Sequence, residues 1–217
     1  MTSLCDRVGF VLGGFVSRQP FHHGNLRAEL LERAESVLRE RGAEMLSLRE
    51  LARDAGVSHG APRSHFIDRN ALLNALAERG FDRLAAAVER AVTALPPQSR
   101  SGRELLRAAG EAHLDFAVRN PALGALMVAA KADEPSGPVH DAAARLFGIM
   151  AALVTTVLGP DHDAQKIARL TLLLSATIQG ILSLVASRRI SSAQGGTLLD
   201  DAVRVFVAGS TTDGAPD

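Results

Sequence analysis

A chain of 217 residues that is 47% hydrophobic and 22% charged can bury a substantial core, fits two lobes better than one, and does not belong to the disordered class. Its 24 basic and 24 acidic residues cancel, so no global field draws it to a polyanion. One cysteine, Cys5, excludes an internal disulfide and any cysteine-rich zinc site, and suits a cytoplasmic setting.

The first segment, 1–20, contains an apolar run at 8–16 behind Arg7, the outline of a secretory signal. Asp6, the internal glycines and the lack of a small-x-small cleavage site argue against one. The segment reads as a poorly ordered arm, with Arg18 placed to reach a minor groove, or as residues ahead of a true start near Val16. His22 and His23 precede a helix, where they are solvated or close to DNA rather than metal ligands. That helix, 25–41, carries Leu26, Leu30, Ala34, Val37 and Leu38 on one face, and Gly42 closes it.

Residues 47–66, SLRELARDAGVSHGAPRSHF, read as two short helices joined by a three-residue turn. Leu48, Leu51, Ala52 and Ala55 fall at i, i+3, i+4 and i+7, and Ser47 with Glu50 forms a capping box. Gly56 supplies the left-handed exit, Val57 packs into the corner, and Ser58 is positioned to cap the second helix. Ala52, four residues before the glycine, is small where the two helices come closest. The second helix, 59–66, is thereby free to enter a major groove, although Pro62 removes an N–H and predicts a short or irregular helix. Asp68 caps a long helix over 69–95 with Leu72, Leu73, Leu76 and Phe81 on its apolar face.

This pattern resembles the TetR family of transcriptional regulators. The matching residues are HHGNL at 22–26, the LSLRELARDAGVS run at 46–58 and RSHFIDR at 63–69, so the likeness covers residues 20–80. Where the family carries a phosphate-binding tyrosine this chain has Arg63, and the whole sequence lacks tyrosine; where it carries a lysine at the next helix start, this chain has Arg69. Arginine's planar fork still suits phosphate or a guanine edge. The resemblance implies DNA-facing positions at Arg27, Ser47, Arg49, Ser58, His59, Gly60, Ala61, Arg63, Ser64, His65 and Arg69. Eight arginines balance eight carboxylates over 21–70, so the contact rests on positive charge gathered on one face, with modest nonspecific affinity.

Beyond Gly102 the chain is apolar and periodic at helical spacing, with helices expected over 103–119, 121–132, 138–158, 163–187 and 198–207. Breaks fall at 95–102, 133–137, 159–162 and 191–196, and Pro96-Pro97 with QSRSG forms the expected hinge. The segment 112–127, AHLDFAVRNPALGALM, is similar to the ligand-domain signature of one TetR subgroup, with His113 where a tyrosine is usual; Gln179-Gly180 stands where that subgroup has His-Gly. By that resemblance His113, Phe116, Met127, Phe147, Met150 and Gln179 surround a ligand cavity, with ordinary core as the alternative for the Phe and Met side chains.

Residues 170–187 contain no charge and are long enough to span a bilayer, but their Thr, Ser, Gln and Gly content makes them only moderately apolar. Leu170, Leu174, Ile178, Ile181 and Val185 lie on one side, with Leu172, Leu173, Ala176 and Leu184 on another, so the helix needs cover on two sides. A second subunit supplies the outer cover in a four-helix seam, with Val203 and Phe206 contributed by 198–207.

No catalytic constellation emerges. Glu111 and Asp115 share a helix face from which His113 points away; Asp161-His162-Asp163 reads as a helix start; Gly13-Gly14 lacks the partners of a phosphate loop. The expectation is an all-α, non-enzymatic, cytoplasmic chain of about nine helices without cofactor or metal. An arm at 1–20 precedes a helix-turn-helix lobe at 21–82, a ligand-binding and dimerisation lobe at 83–209 and a tail at 210–217. Its partners are a double-stranded operator, a small apolar or amphipathic effector and a second copy of itself, with no membrane. The alternative is a dimeric helical ligand-binding protein whose DNA lobe recognises no specific site.

Overall fold

The computed structural model describes residues 26–133, 136–159 and 162–212. The expectations for the arm 1–20, Arg18, His22, His23, Asp161 and the end of the tail lie outside these residues. Among the described residues there are eight α-helices and no strand: α1 (Leu26–Arg41), α2 (Leu48–Asp54), α3 (Arg69–Thr93), α4 (Gly102–Arg119), α5 (Pro121–Asp133), α6 (Pro138–Leu158), α7 (Ala164–Ala186) and α8 (Ser192–Thr212). The expected ninth helix, 59–66, is instead a 3₁₀ turn over Ala61–Ser64.

Leu30, Leu31, Ala34 and Leu38 of α1 are buried with Leu46, Leu51, Ala55, Phe66, Leu72 and Leu76, which makes a compact DNA lobe on the first turns of α3. The rest of α3 buries Phe81, Leu84, Ala85 and Val88 among α4, α5 and α6, so one 25-residue helix belongs to both lobes. Asp68 caps it as expected, its carboxylate accepting from the Ala71 amide at 2.8 Å. At the far end Arg100 donates to the carbonyls of Thr93 and Leu95, which ties the Pro96-Pro97 connection back onto the end of α3.

The last helix departs most from expectation. Residues 191–196 form no break, because α8 begins at Ser192 and contains Gly195 and Gly196. Ser191 and Gln194 form a reciprocal capping box: the Ser191 amide donates to Gln194 Oε1 at 2.9 Å, and the Gln194 amide to Ser191 Oγ at 3.2 Å. Gly195 is needed for close approach, since a Cβ there would lie 2.7 Å from Val185 Cγ2 on α7. Helices α6 and α7 are long and apolar enough to cross a membrane. In this fold α6 buries Val139, Ala142, Leu146, Met150 and Val154, and α7 buries Leu174, Ile178, Ile181 and Leu182. Thr171, the one fully buried polar residue among those described, is satisfied by donating to the Ile167 carbonyl.

Candidate nucleic-acid interface and effector lobe

The turn between the two reading elements closes as a Schellman motif. The Val57 amide reaches the Ala52 carbonyl at 3.0 Å, the Gly56 amide reaches Arg53 at 3.1 Å, and Gly56 takes φ +68°. Ala52 is fully buried at this corner, as its size requires. Ser47 has extended dihedrals at the N-cap of α2, but its hydroxyl makes no capping bond, so the expected box with Glu50 does not close.

The following segment is shorter than a recognition helix. Ser58 does not cap with its side chain; its carbonyl accepts from Ala61, and His59-Gly60 form a turn into the 3₁₀ segment. Pro62 has no amide to give and disfavours an α conformation at Ala61, and Gly60 is a poor helix former, so α geometry cannot run back from Phe66. Pro62 and Phe66 are buried and anchor the turn, while the Phe66 amide bonds the Pro62 carbonyl at 2.8 Å. The Arg27 guanidinium covers the Phe66 ring at 5.3 Å, joining α1 to the same base.

On that base Arg27, Arg49, Ser58, His59, Gly60, Arg63, Ser64 and His65 are exposed, while Ser47 and Ala61 are half-buried. His65 is therefore a surface group rather than a packed one. Arg69 is otherwise employed: its Nε donates to the Leu46 carbonyl at 3.1 Å and its Nη2 to the Ala43 carbonyl at 2.6 Å. It clamps the chain between α1 and α2 onto the start of α3, a structural use that the sequence reading did not assign to it. Ile67, 81% exposed beside Phe66, escaped the sequence reading. The signal was present, since a buried Phe66 turns its neighbour outward.

In the C-terminal lobe Phe116, Met127 and Met150 are buried in the common core, and His113 and Phe147 are half-buried. The His113 Nδ1 lies 2.8 Å from the Ala109 carbonyl, so a neutral ring donates there and leaves Nε2 as an acceptor. Desolvation holds its pKa below the usual histidine range, against the opposing pull of that carbonyl. Gln179 is exposed on the outer face of α7 and does not join the others. Its register with Leu172, Leu173 and Ala176, not with Leu174 and Ile178, decides this.

That outer face is apolar: Leu172 is 62% and Leu173 56% exposed, with Ala176, Gly180 and Ser183 along the same side. Leu184 and Phe206 are half-buried. Val203 is 1% exposed and packs inside the protomer, which removes it from a subunit seam; Leu198 and Val205 point outward on α8 in its place.

A Schellman-closed turn presenting exposed basic and hydroxyl groups on a buried aromatic base, followed by an all-helical lobe, defines a helix-turn-helix DNA-binding regulator. Family models agree on both lobes. Residues 30–76 match bacterial regulatory proteins of the tetR family, and residues 106–206 match the tetracyclin repressor-like C-terminal domain. The chain belongs to the TetR family of bacterial regulatory proteins and is a transcription factor, not an enzyme. A protein of unknown function from Rhodococcus sp. RHA1 is 39% identical, the match covering 88% of this chain and 98% of that one with a TM-score of 0.76. A TetR-family transcriptional regulator from Streptomyces coelicolor has the same fold at 17% identity, covering 86% and 96% of the two chains with a TM-score of 0.64. A TetR transcriptional regulator from Rhodococcus sp. RHA1 does so at 18% identity, with 84% and 95% covered and a TM-score of 0.61. No curated protein matches the chain.

Proposed function

We propose that the protein is a cytoplasmic homodimeric repressor that binds an inverted-repeat operator and is released by a small apolar or amphipathic ligand. The observation that carries the reading is the exposed set Arg49, Ser58, His59, Arg63, Ser64 and His65 around a turn held rigid by buried Pro62 and Phe66. Arg49 and Arg63 supply phosphate or guanine contacts, and Ile67 offers an apolar surface to a thymine methyl. The division into a reading lobe, 21–82, and an effector lobe, 83–209, places the boundary inside α3, so tilting that helix changes the spacing of two recognition turns. The apolar outer face of α7, with Leu198 and Val205 of α8, supports pairing with a second copy. Phe116, Met127 and Met150, with His113 and Phe147 beside them, support an apolar effector site.

Footprinting on the chain's own upstream DNA tests the reading. Protected half-sites should be centred about one helical turn, roughly 34 Å, apart or a multiple of it. Loss of a bidentate base contact in Arg49→Ala or Arg63→Ala should cost on the order of 1 to 3 kcal/mol. The zero net charge and the shortened recognition turn favour one rival, a dimeric helical ligand-binding protein with no specific site. Absence of a footprint on every genomic fragment would establish that rival.

A further inference from the structure

Helix α3 is not the only connection between the lobes. Arg83, at the middle of α3, holds three partners, one on α1 and two at the C-terminal end of α4. Its Nη1 donates to Glu35 Oε1 of α1 at 2.5 Å, its Nη2 donates to Asn120 Oδ1 at 3.2 Å, and its guanidinium lies 5.9 Å from the centre of the Phe116 ring on α4. Asn120 is the C-cap of α4 and immediately precedes Pro121, the first residue of α5. Its own Nδ2 donates to the Phe116 carbonyl at 2.9 Å, which ties the Asn120 side chain to the last turn of α4. Glu35 is largely covered, with 19% of its side chain exposed against 39% for Arg83, so the pair is partly withdrawn from water on its carboxylate side.

The surroundings leave little slack. A Cβ at Gly80, one turn before Arg83, would lie 2.7 Å from Met127 Sδ, which shows how closely α3 and α5 approach. Arg79 reaches Glu32 of α1 at 3.9 Å on the same side as Arg83. Helix α1 also packs directly against α5. A guanidinium that bonds a carboxylate and an amide with two separate nitrogens cannot follow one partner without changing its geometry to the other.

We propose that Arg83 is an interlobe latch: it couples the position of α1, and through Arg27 the base of the recognition turn, to the break between α4 and α5. The inference rests on the regulator reading above and adds the route by which the lobes sense each other. An effector that turns the Phe116 ring or displaces Asn120 loosens the hold on Glu35. By linkage, DNA that fixes α1 must tighten the α4–α5 break.

Hydrogen exchange of the full-length protein tests the latch without an effector in hand. Glu35→Gln, a change made in the DNA lobe, should speed exchange of the Asn120 and Gly124 amides in the effector lobe by about tenfold, the scale of one charge-assisted hydrogen bond. Arg83→Lys keeps a charge near Glu35 but loses the fork, and should do the same. Arg145→Gln removes the α3–α6 ion pair with Asp82 and should leave those two amides unchanged. Wild-type exchange at Asn120 and Gly124 in Glu35→Gln, or equal acceleration in Arg145→Gln, overturns the latch. Adding upstream duplex DNA should slow the two amides in wild type and not in Arg83→Lys. A duplex that binds neither protein refutes the regulator reading, while the first comparison still decides the latch.

Discussion

Arg69 and Arg63 show how two arginines in one motif come to different uses. Arg69 spends its guanidinium on the carbonyls of Ala43 and Leu46, whereas Arg63 and Arg49 have theirs exposed. A phosphate contact releases counterions, so its removal lowers the slope of log affinity against log salt by about 0.9. Arg49→Ala or Arg63→Ala, if the lost contact is to phosphate, should reduce that slope. Arg69→Ala should weaken binding with the slope unchanged, since only the placement of α2 is lost. Salt titrations of operator affinity on the three variants check this, and a reduced slope in Arg69→Ala alone would return that residue to the DNA surface. His113 yields a second expectation at this scale. Its folded-state pKa lies below the ordinary 6.5, so the unfolded chain binds the proton more readily than the native one. Stability should therefore be full above about pH 6.5 and fall as the pH drops below it. Thermal unfolding between pH 7.5 and 5.5 measures the loss, which His113→Gln should flatten; an unaltered profile in that variant would place the titration elsewhere.

Elements were legible in the sequence where caps and periodicity agreed. The 138–158 expectation coincides with α6, and Asp163 sits at the N-cap of α7 with its carboxylate accepting from Lys166. The failures have identifiable competitors. Two adjacent glycines made 191–196 look like a break, but the Ser191–Gln194 box starts a helix there, and Gly195 is present because Val185 needs its space. Two glycine substitutions separate these effects. Gly110→Ala, whose Cβ would meet Leu199 at 3.7 Å, should gain up to about 1 kcal/mol of helix propensity. Gly195→Ala should lose stability, because overpacking costs about 1 to 3 kcal/mol and a helical valine, confined to one strongly preferred rotamer, has no low-energy alternative that would move its methyl aside. Denaturant midpoints of both variants report the difference; stabilisation of Gly195→Ala would show that α7 and α8 separate easily.

At the scale of the whole molecule the outer face of α7 is the consequential surface. On the proposed pairing, Leu172→Glu and Leu173→Glu place a charge where the second copy would exclude water, which costs several kcal/mol in a dry seam. Sedimentation should find both variants monomeric, whereas Val203→Ala, inside the protomer, should destabilise the fold without a specific effect on association. Persistent dimers in both glutamate variants would move the seam off α7.

Sequence alone determined most of the helices, the tight Gly56 turn, the family and the two-sided character of α7, because these depend on local spacing, small residues at fixed offsets and backbone chemistry. It could not say that Arg69 bonds the carbonyls of Ala43 and Leu46, that Gln179 lies on the exposed face of α7, that Val203 is buried while Val205 is exposed, or that Arg83 joins α1 to the α4–α5 break. Each of those depends on which of two helical faces meets a neighbour, and on which long side chain finds a carbonyl or carboxylate far away in sequence. Only the tertiary packing supplies those partners.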